Sequence, residues 1–594
     1  MSRDKYGLFV DRRQVLGGMA AGLMAPSLAR AKHVGWSRVR PAEAAWPSEA
    51  EWGTLRKTLG GRLLTVAMPS FGSDEEARLL SNPFYIRDQV GLTQSSGRVD
   101  GWCSSPSVYA VRARDAADVS AAVRFASRHR LRLVVKGGGH SYLGGSNAPD
   151  SLLVWTRDLE AIELHDSFVA QGTQVAGVPA VSVGAGCIWH DVYEAVTTRA
   201  GRYVQGGGCT TVGVAGLVQG GGFGSFSKTF GLAAAGLLEA EIVTADGRVR
   251  IVNASKDPDL FWALKGGGGG TWGVVTRLTL RTHDLPSTFG VVHWELQAKS
   301  DDAFRLLLAR FVALYAEKLC NPHWGEQASA RPGNRFDISM MFQGLTKSEA
   351  QSVWQELIDF VATHPADYQA GAPMLVAALP AGRLWDGAFL RDHVPSAIAW
   401  DTRPGVPPGQ WWWASNGAEV AAFWHGYESA WLPSSLLTQS GRGKLAEAWF
   451  AASRHWSTTF HFNKGLAGAP AEAIAASRNT AMNPQVLHAF ALAIVAMDGP
   501  TAYRGVSQSE LAAARDHRLR IRAAMNELRR VAPGAGSYLS ESDYDLANWR
   551  AACWGPHAAR LDAVKARYDP DDLFIVHHGV GSQRWSNDGF EVRA

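Results

Sequence analysis

Between residues 107 and 284 the apolar positions fall into short runs separated by glycine, aspartate and proline, and the spacing of each run predicts its element. SVYAVRA reads as a strand. LRLVV and SLLVW are unbroken apolar runs of the buried-strand kind. In AADVSAAVRFASRH the apolar residues Val119, Val123 and Phe125 or Ala126 share one face of a helix, which Asp115 is placed to cap. VPAVSVGAG is a strand running into a glycine turn, and WHDVYEAVTTRA is a helix behind it. LEAEIVTADGRVRIVN predicts a hairpin turning at Ala245-Asp246-Gly247. DPDLFWALKG predicts a short helix opened by Asp257-Pro258, and TWGVVTRLTLRTH a long strand. After His283 the texture changes. Residues 285–535 carry many tryptophans, including the run WWW at 411–413, and helical stretches such as SDDAFRLLLARFVALYAEKL. They predict a second domain that supplies a wall. PGAGSY breaks the pattern, and helix and loop return from 539.

Composition adds little against this picture. The chain has 594 residues, 46% hydrophobic and 19% charged, which is globular rather than disordered. Of the formal charge of +4, the first 31 residues hold +3. The remainder is close to neutral and gives no electrostatic case for nucleic acid. DRRQVLGGMAAGLMAPSLARA pairs Arg12-Arg13 with a short, mild apolar run and an Ala29-Arg30-Ala31 cleavage pattern. It reads as a signal peptide of the twin-arginine route, which places the mature protein outside the cytoplasm, secreted or periplasmic. No run is long enough for a transmembrane span.

Glycine is abundant, 63 residues, and the excess is clustered. Four runs, 137–139, 206–208, 220–224 and 266–270, lie in the first domain. One such run is weak evidence; four can converge bare N–H groups on a pyrophosphate. None has the P-loop or Rossmann pattern. The first run leads directly to His140 and the second to Cys209, so two nucleophilic side chains each follow three glycines. A turn histidine satisfied by backbone is the plain alternative for His140, and a Cys/His hydrolase pair is a second one. Tethering of a ring system accounts for both residues and for a thiol left over from the odd count of five cysteines.

At this point a family pattern is met. VVKGGGHSYLGGS, VGAGCIWHDVY, GGGCTTVGVAGLVQGGGFGSFSKTFGLAAAG, DPDLFWALKGGGGGTWGVVT and RLDAVKARYDPDDLF together resemble the berberine-bridge-enzyme-like flavoprotein oxidases, of the larger vanillyl-alcohol-oxidase type. The resemblance covers about 103–284 and 536–582. It implies an α+β fold: a two-part FAD-binding domain of the PCMH type, and a substrate domain with an antiparallel sheet covered by helices. The expected organisation is a signal peptide at 1–31, an FAD domain at 32–284, a substrate domain at 285–535 and a C-terminal segment at 536–594 that returns to the FAD domain.

The resemblance further implies FAD attached twice, His140 to the 8α-methyl and Cys209 to C6 of the ring. Around these posts the implied FAD contacts are Lys136, Gly137, Gly138, Gly139, Ser141, Tyr142, Gly145 and Ser146 in the first loop. In the second they are Gly206, Gly208, Thr210, Val212, Gly213 and Gly216; then come Gly220, Gly221, Gly222 and Gly224, with Val275 beyond the fourth run. Val214 matches the position that governs oxygen access in the family. The chain departs from the family where TFGLAAAG ends in Ala235-Gly236 in place of an Asp-Asn pair. It departs again in YLSESD, where Glu541 replaces the tyrosine that often serves as base. Glu541 is therefore the expected proton acceptor, with His577 and His578 expected near the same pocket. Adjacent histidines alone make a poor metal site, and none is expected.

The implied reaction is oxidation of an alcohol-type small molecule, such as a sugar or oligosaccharide, an aromatic or aliphatic alcohol or a secondary metabolite. Hydride passes to flavin N5 and O2 is reduced to H2O2. The alternatives are a dehydrogenase serving a quinone or protein acceptor, and a flavin-binding protein without turnover.

Overall fold

The structure, a computed structural model, describes residues 37–593, so the twin-arginine segment at 1–31 lies outside the described residues. Two small sheets and one large one organise the chain. In the first sheet the order is Leu63–Thr65, Tyr109–Arg112, Ser151–Trp155, Arg132–Lys136, with the last three parallel. Parallel strands need a crossover, and helix Ala116–Arg128 supplies it, with Asp115 accepting from the Asp118 N–H at 2.9 Å. Val119, Val123, Phe125 and Ala126 all face the core under this sheet.

The second sheet is antiparallel, in the order Val249–Asn253, Leu237–Val243, Val274–Asp284, Val178–Gly184, Ile162–Phe168, and Arg202–Val204 pairs with the far end of the long central strand. The expected hairpin is present, with Val243 opposite Val249. A β-domain split into these two sheets, with the glycine loops at their shared edge, is the two-part arrangement expected above.

The third sheet has ten strands and is antiparallel except at one place. Its core gathers Phe311, Trp324, Phe336, Trp354, Trp449 and Phe460 between the sheet and helices Asp301–Leu314, Lys347–Thr363, Gln439–His455 and Gln508–Val531. The place that breaks the rule is Ser95–Arg98, which runs parallel to Ala422–Pro433 and then turns back through Trp102–Cys103. A segment that precedes the first sheet in sequence thus closes the edge of the substrate sheet. Its polar run SSGR carries no alternation, so only the partner strand defines it as a strand.

The C-terminal segment returns to the first two sheets. Phe574 bridges to Leu133 in parallel. Lys565, wholly buried, donates to the Thr271 carbonyl and pairs with Asp569, both at 2.7 Å. The tryptophans at 411–413 form a short strand against Ile398–Trp400, and Trp411 packs on Trp385 at 5.8 Å between ring centroids. They are core rather than a substrate platform. All five cysteines are free thiols, and among the described residues no helix is long and apolar enough to cross a membrane.

Candidate functional site

The site is built where the glycine loops meet. The strand Arg132–Lys136 ends in Gly137-Gly138-Gly139, and Gly139 has φ +80°, a conformation that turns the chain toward His140. A Cβ on Gly138 would lie 2.5 Å from the Gly213 nitrogen and 2.7 Å from the Thr211 carbonyl oxygen. The first and second loops therefore touch backbone to backbone. Across this seam His140 Nε2 is 3.0 Å from Thr211 Oγ1, two residues beyond Cys209. The structure brings the two expected posts to one place although they lie far apart in sequence.

Burial pushes the His140 imidazole down to about 4, so it is neutral and keeps a lone pair. Burial, reinforced by Glu419, pushes the Cys209 thiol up to about 12. The third loop joins the same wall: a Cβ on Gly224 would strike the Gly206 carbonyl at 2.1 Å, and one on Gly220 would meet Ser540 Oγ at 2.6 Å. By contrast a Cβ on Gly208 or Gly216 meets no atom within 4 Å, and both residues are exposed between buried neighbours. These bare faces open onto a groove floored by the His140 and Cys209 loops. A planar ring tethered at those two side chains fits this arrangement.

A Gly138→Ala substitution should consequently push the two anchoring loops apart. We expect the purified variant to carry little flavin, read as the ratio of absorbance near 450 nm to that at 280 nm, about that of an apoprotein.

Other expected contacts are distributed more widely. Lys136 is fully buried and turns its Nζ to the carbonyls of Gln89 and Leu92, at 2.6 and 2.5 Å; burial pushes its ammonium down to about 7. Ser141 Oγ accepts from the Gly145 N–H at 2.9 Å and closes its own turn, and Ser146 is buried beside it. Thr210 and Val212 offer their carbonyls to the backbone of His190 and Trp189. Gly221 and Gly222 pack on Met482 and Leu217. Val275 lies inside the second sheet opposite Ile242. Val214 opens the short helix Val214–Gln219 and is fully buried, its N–H donating to the Cys187 carbonyl at 3.1 Å.

Glu541 lies on the far wall. Its two carboxylate oxygens each accept from Lys464 Nζ at 2.6 Å. Around this ion pair stand residues that the sequence did not single out. Glu326, on the strand Trp324–Arg331, accepts from Ser225 Oγ at 2.5 Å and from Asn463 Nδ2 at 3.4 Å. Burial pushes its carboxyl above the usual carboxylate range. Glu419, on the solvent side of the site, accepts from Tyr142 Oη at 3.4 Å, and desolvation by the surrounding walls followed by Asp498 raises its carboxyl as well. Tyr142 stacks on Tyr427 at 4.9 Å and meets Trp424 edge-on at 4.8 Å. The Cys209 thiol is near enough to feel Glu419, Lys464, Glu326 and Glu541. The anchor and the acidic wall face one space. Lys464 in HFNKG and Glu326 in WGEQ read from sequence as ordinary loop and strand polar residues, with no spacing to flag them.

His577 and His578 are placed in a different group. His577 stacks on Tyr544 at 3.7 Å and contacts the Tyr544 carbonyl oxygen through Nε2 at 2.7 Å, and His578 stacks on Trp549 at 5.2 Å. Their charged neighbours are Arg98, Asp543 and Asp545 rather than the Glu541–Lys464 pair.

Comparison with known proteins agrees with this geometry. An FAD binding domain model matches residues 107–253, and a berberine and berberine like model matches 537–581. The VAO-type flavoprotein oxidase VAO615 of Thermothelomyces thermophilus is 30% identical over 96% of this chain and 97% of its own. The crystal structure of VAO-type flavoprotein MtVAO615 from Myceliophthora thermophila superposes with a TM-score of 0.76 at 26% identity, covering 94% of this chain and 100% of that one. A glucooligosaccharide oxidase of Acremonium strictum, described with 6-S-cysteinyl, 8α-N1-histidyl FAD, shares the fold. Its TM-score is 0.65 at 17% identity, over 89% of this chain and 98% of that one.

Proposed function

Because this chain belongs to the VAO-type, berberine-bridge-like family of FAD-linked oxidoreductases, we propose that it oxidises an alcohol-type small molecule and passes the electrons to O2, giving H2O2. FAD, when bound, supplies the hydride acceptor and the route to oxygen. His140 and Cys209 hold it by two covalent bonds, and the loops around Gly138, Gly208 and Gly216 give it room. The observation that carries the reading is the Glu541–Lys464 pair standing across one space from Cys209.

The substrate's hydroxyl proton must leave as its C–H is lost, and a carboxylate within hydrogen-bond reach takes it. Glu541 is that acceptor. Lys464 fixes both of its oxygens in place, and the rings of Tyr142, Tyr427 and Trp424 exclude water from one side. Buried Val214, close behind the Cys209 loop, leaves oxygen a path that a bulkier side chain would close. The N-terminal segment exports the protein by the twin-arginine route after the cofactor is loaded.

The test is anaerobic mixing of the yellow protein with a panel of sugars, aromatic alcohols and aliphatic alcohols. At least one should bleach the flavin, and admitted air should restore the colour with one H2O2 per turnover. Bleaching reversed only by a quinone would instead identify a dehydrogenase.

A further inference from the structure

The acidic wall is not balanced by the protein. Glu326, Glu419, Glu541 and Asp498 surround a space in which Lys464 is the one cation that acts on Glu326 and Glu419. Lys464 is already committed to both oxygens of Glu541 at 2.6 Å. Unpaired carboxylates in a partly dry site are costly, and a fold does not hold four of them around one ammonium for stability alone.

Two observations independent of the acids point to what completes them. First, Asn463 is only 5% exposed, donates its Nδ2 to Glu326, and leaves its Oδ1 without any donor. That corner has acceptors to spare and lacks an N–H. Second, three aromatic rings close the opposite side. Tyr142 and Tyr427 stack at an interplanar angle of 29°, and Trp424 meets both edge-on at 4.8 and 5.1 Å. Their π faces attract cations. The backbone agrees: Glu326 sits at φ +66°, a left-handed conformation that a non-glycine residue within a strand adopts only when its surroundings impose it. A Cβ on neighbouring Gly325 would lie 1.7 Å from the Ser225 carbonyl oxygen, so the strand is pressed against the third glycine loop.

We propose that Glu326 and Glu419 determine specificity, and that the substrate carries an ammonium group seated between them and the Tyr142–Tyr427–Trp424 rings. This deepens the oxidase reading and rests on it: the alcohol to be oxidised belongs to an amine-bearing molecule. Burial and mutual repulsion now raise both carboxyls, and a cation between them removes that repulsion. Lys464 and neutral His461, held well below its usual range by burial, do not compete for the same acids.

The experiment is equilibrium titration of the flavin-loaded full chain, followed by its visible difference spectrum. The three probes are 2-phenylethylamine, its uncharged isostere 2-phenylethanol, and a neutral disaccharide. The amine should bind about tenfold more tightly than the alcohol, the size of one charged hydrogen bond. Glu326→Gln and Glu419→Gln should each remove that preference while leaving the flavin spectrum and the binding of 2-phenylethanol unchanged. Equal affinity for amine and alcohol, tighter binding of the disaccharide, or no amine binding at millimolar concentration would overturn the proposal. Because the readout is binding, it stands apart from the oxidase reading. That reading fails separately, when a ligand that binds never bleaches the flavin.

Discussion

His140→Ala/Cys209→Ala protein, precipitated with acid, should give a colourless pellet and a yellow supernatant, where the unaltered protein gives a yellow pellet. The two side chains stand on loops that touch at Gly138 and Gly213, and Thr211 links them through its hydroxyl to His140. Each offers one bond to the ring, so either single variant should still hold flavin through denaturation. Only the double variant should lose all of it. The neutral imidazole is ready for this chemistry, since a protonated ring has no lone pair to give. The thiol, protonated in its acidic surroundings, must lose its proton as the second bond forms. The order of the two bonds follows: the Cys209→Ala protein should load flavin readily and the His140→Ala protein slowly. A yellow pellet from the double variant would show that some other side chain carries the link.

Glu541→Gln should slow flavin reduction by about 10²- to 10⁴-fold, the usual worth of a positioned base. Glutamine keeps the shape and one acceptor for Lys464, so the change removes the base and little else. The measurement is the anaerobic bleaching rate with whichever panel substrate reduces the flavin, at saturating concentration. Binding should change far less than the rate, because the step lost is proton transfer. An unchanged rate would pass the role to Glu326, the buried carboxyl held by Ser225. The base stands where the family often uses tyrosine, and a carboxylate there needs a fixed cation close by. Lys464 provides it from the opposite domain, across the join between the substrate sheet and the C-terminal segment.

That join has its own supports. Arg98, buried on the edge strand Ser95–Arg98, pairs with Asp543 at 2.7 Å and Asp545 at 2.9 Å. Arg522, from helix Gln508–Val531, reaches Asp543 at 3.2 Å. The segment carrying Glu541 is thus clamped two residues downstream by arginines from two separate elements. Breaking a buried pair of this kind leaves an uncompensated charge, which is why the position of Glu541 depends on residues far from it in the chain.

The sequence by itself determined the elements of the first domain and both cofactor posts. Alternating and unbroken apolar runs define strands such as Ser151–Trp155 and Val274–Asp284, because side-chain burial has a period the chain must obey. Glycine runs ending in His140 and Cys209 were legible because close backbone approach leaves no other residue type usable. Glu541 was legible only as a departure from a family pattern. The tertiary structure alone decided the rest. Lys464, Glu326, Glu419 and Tyr427 come from separate elements, and nothing local marks them, since a charge acquires its role from what it faces. Ser95–Arg98 became a strand because Ala422–Pro433 offered it an edge. His577 and His578, adjacent in sequence to the expected pocket, turned instead to Tyr544 and Trp549, because stacking surfaces there satisfied their rings. A local pattern fixes which face of an element is buried. Which charges meet across a cavity is fixed only when the elements pack.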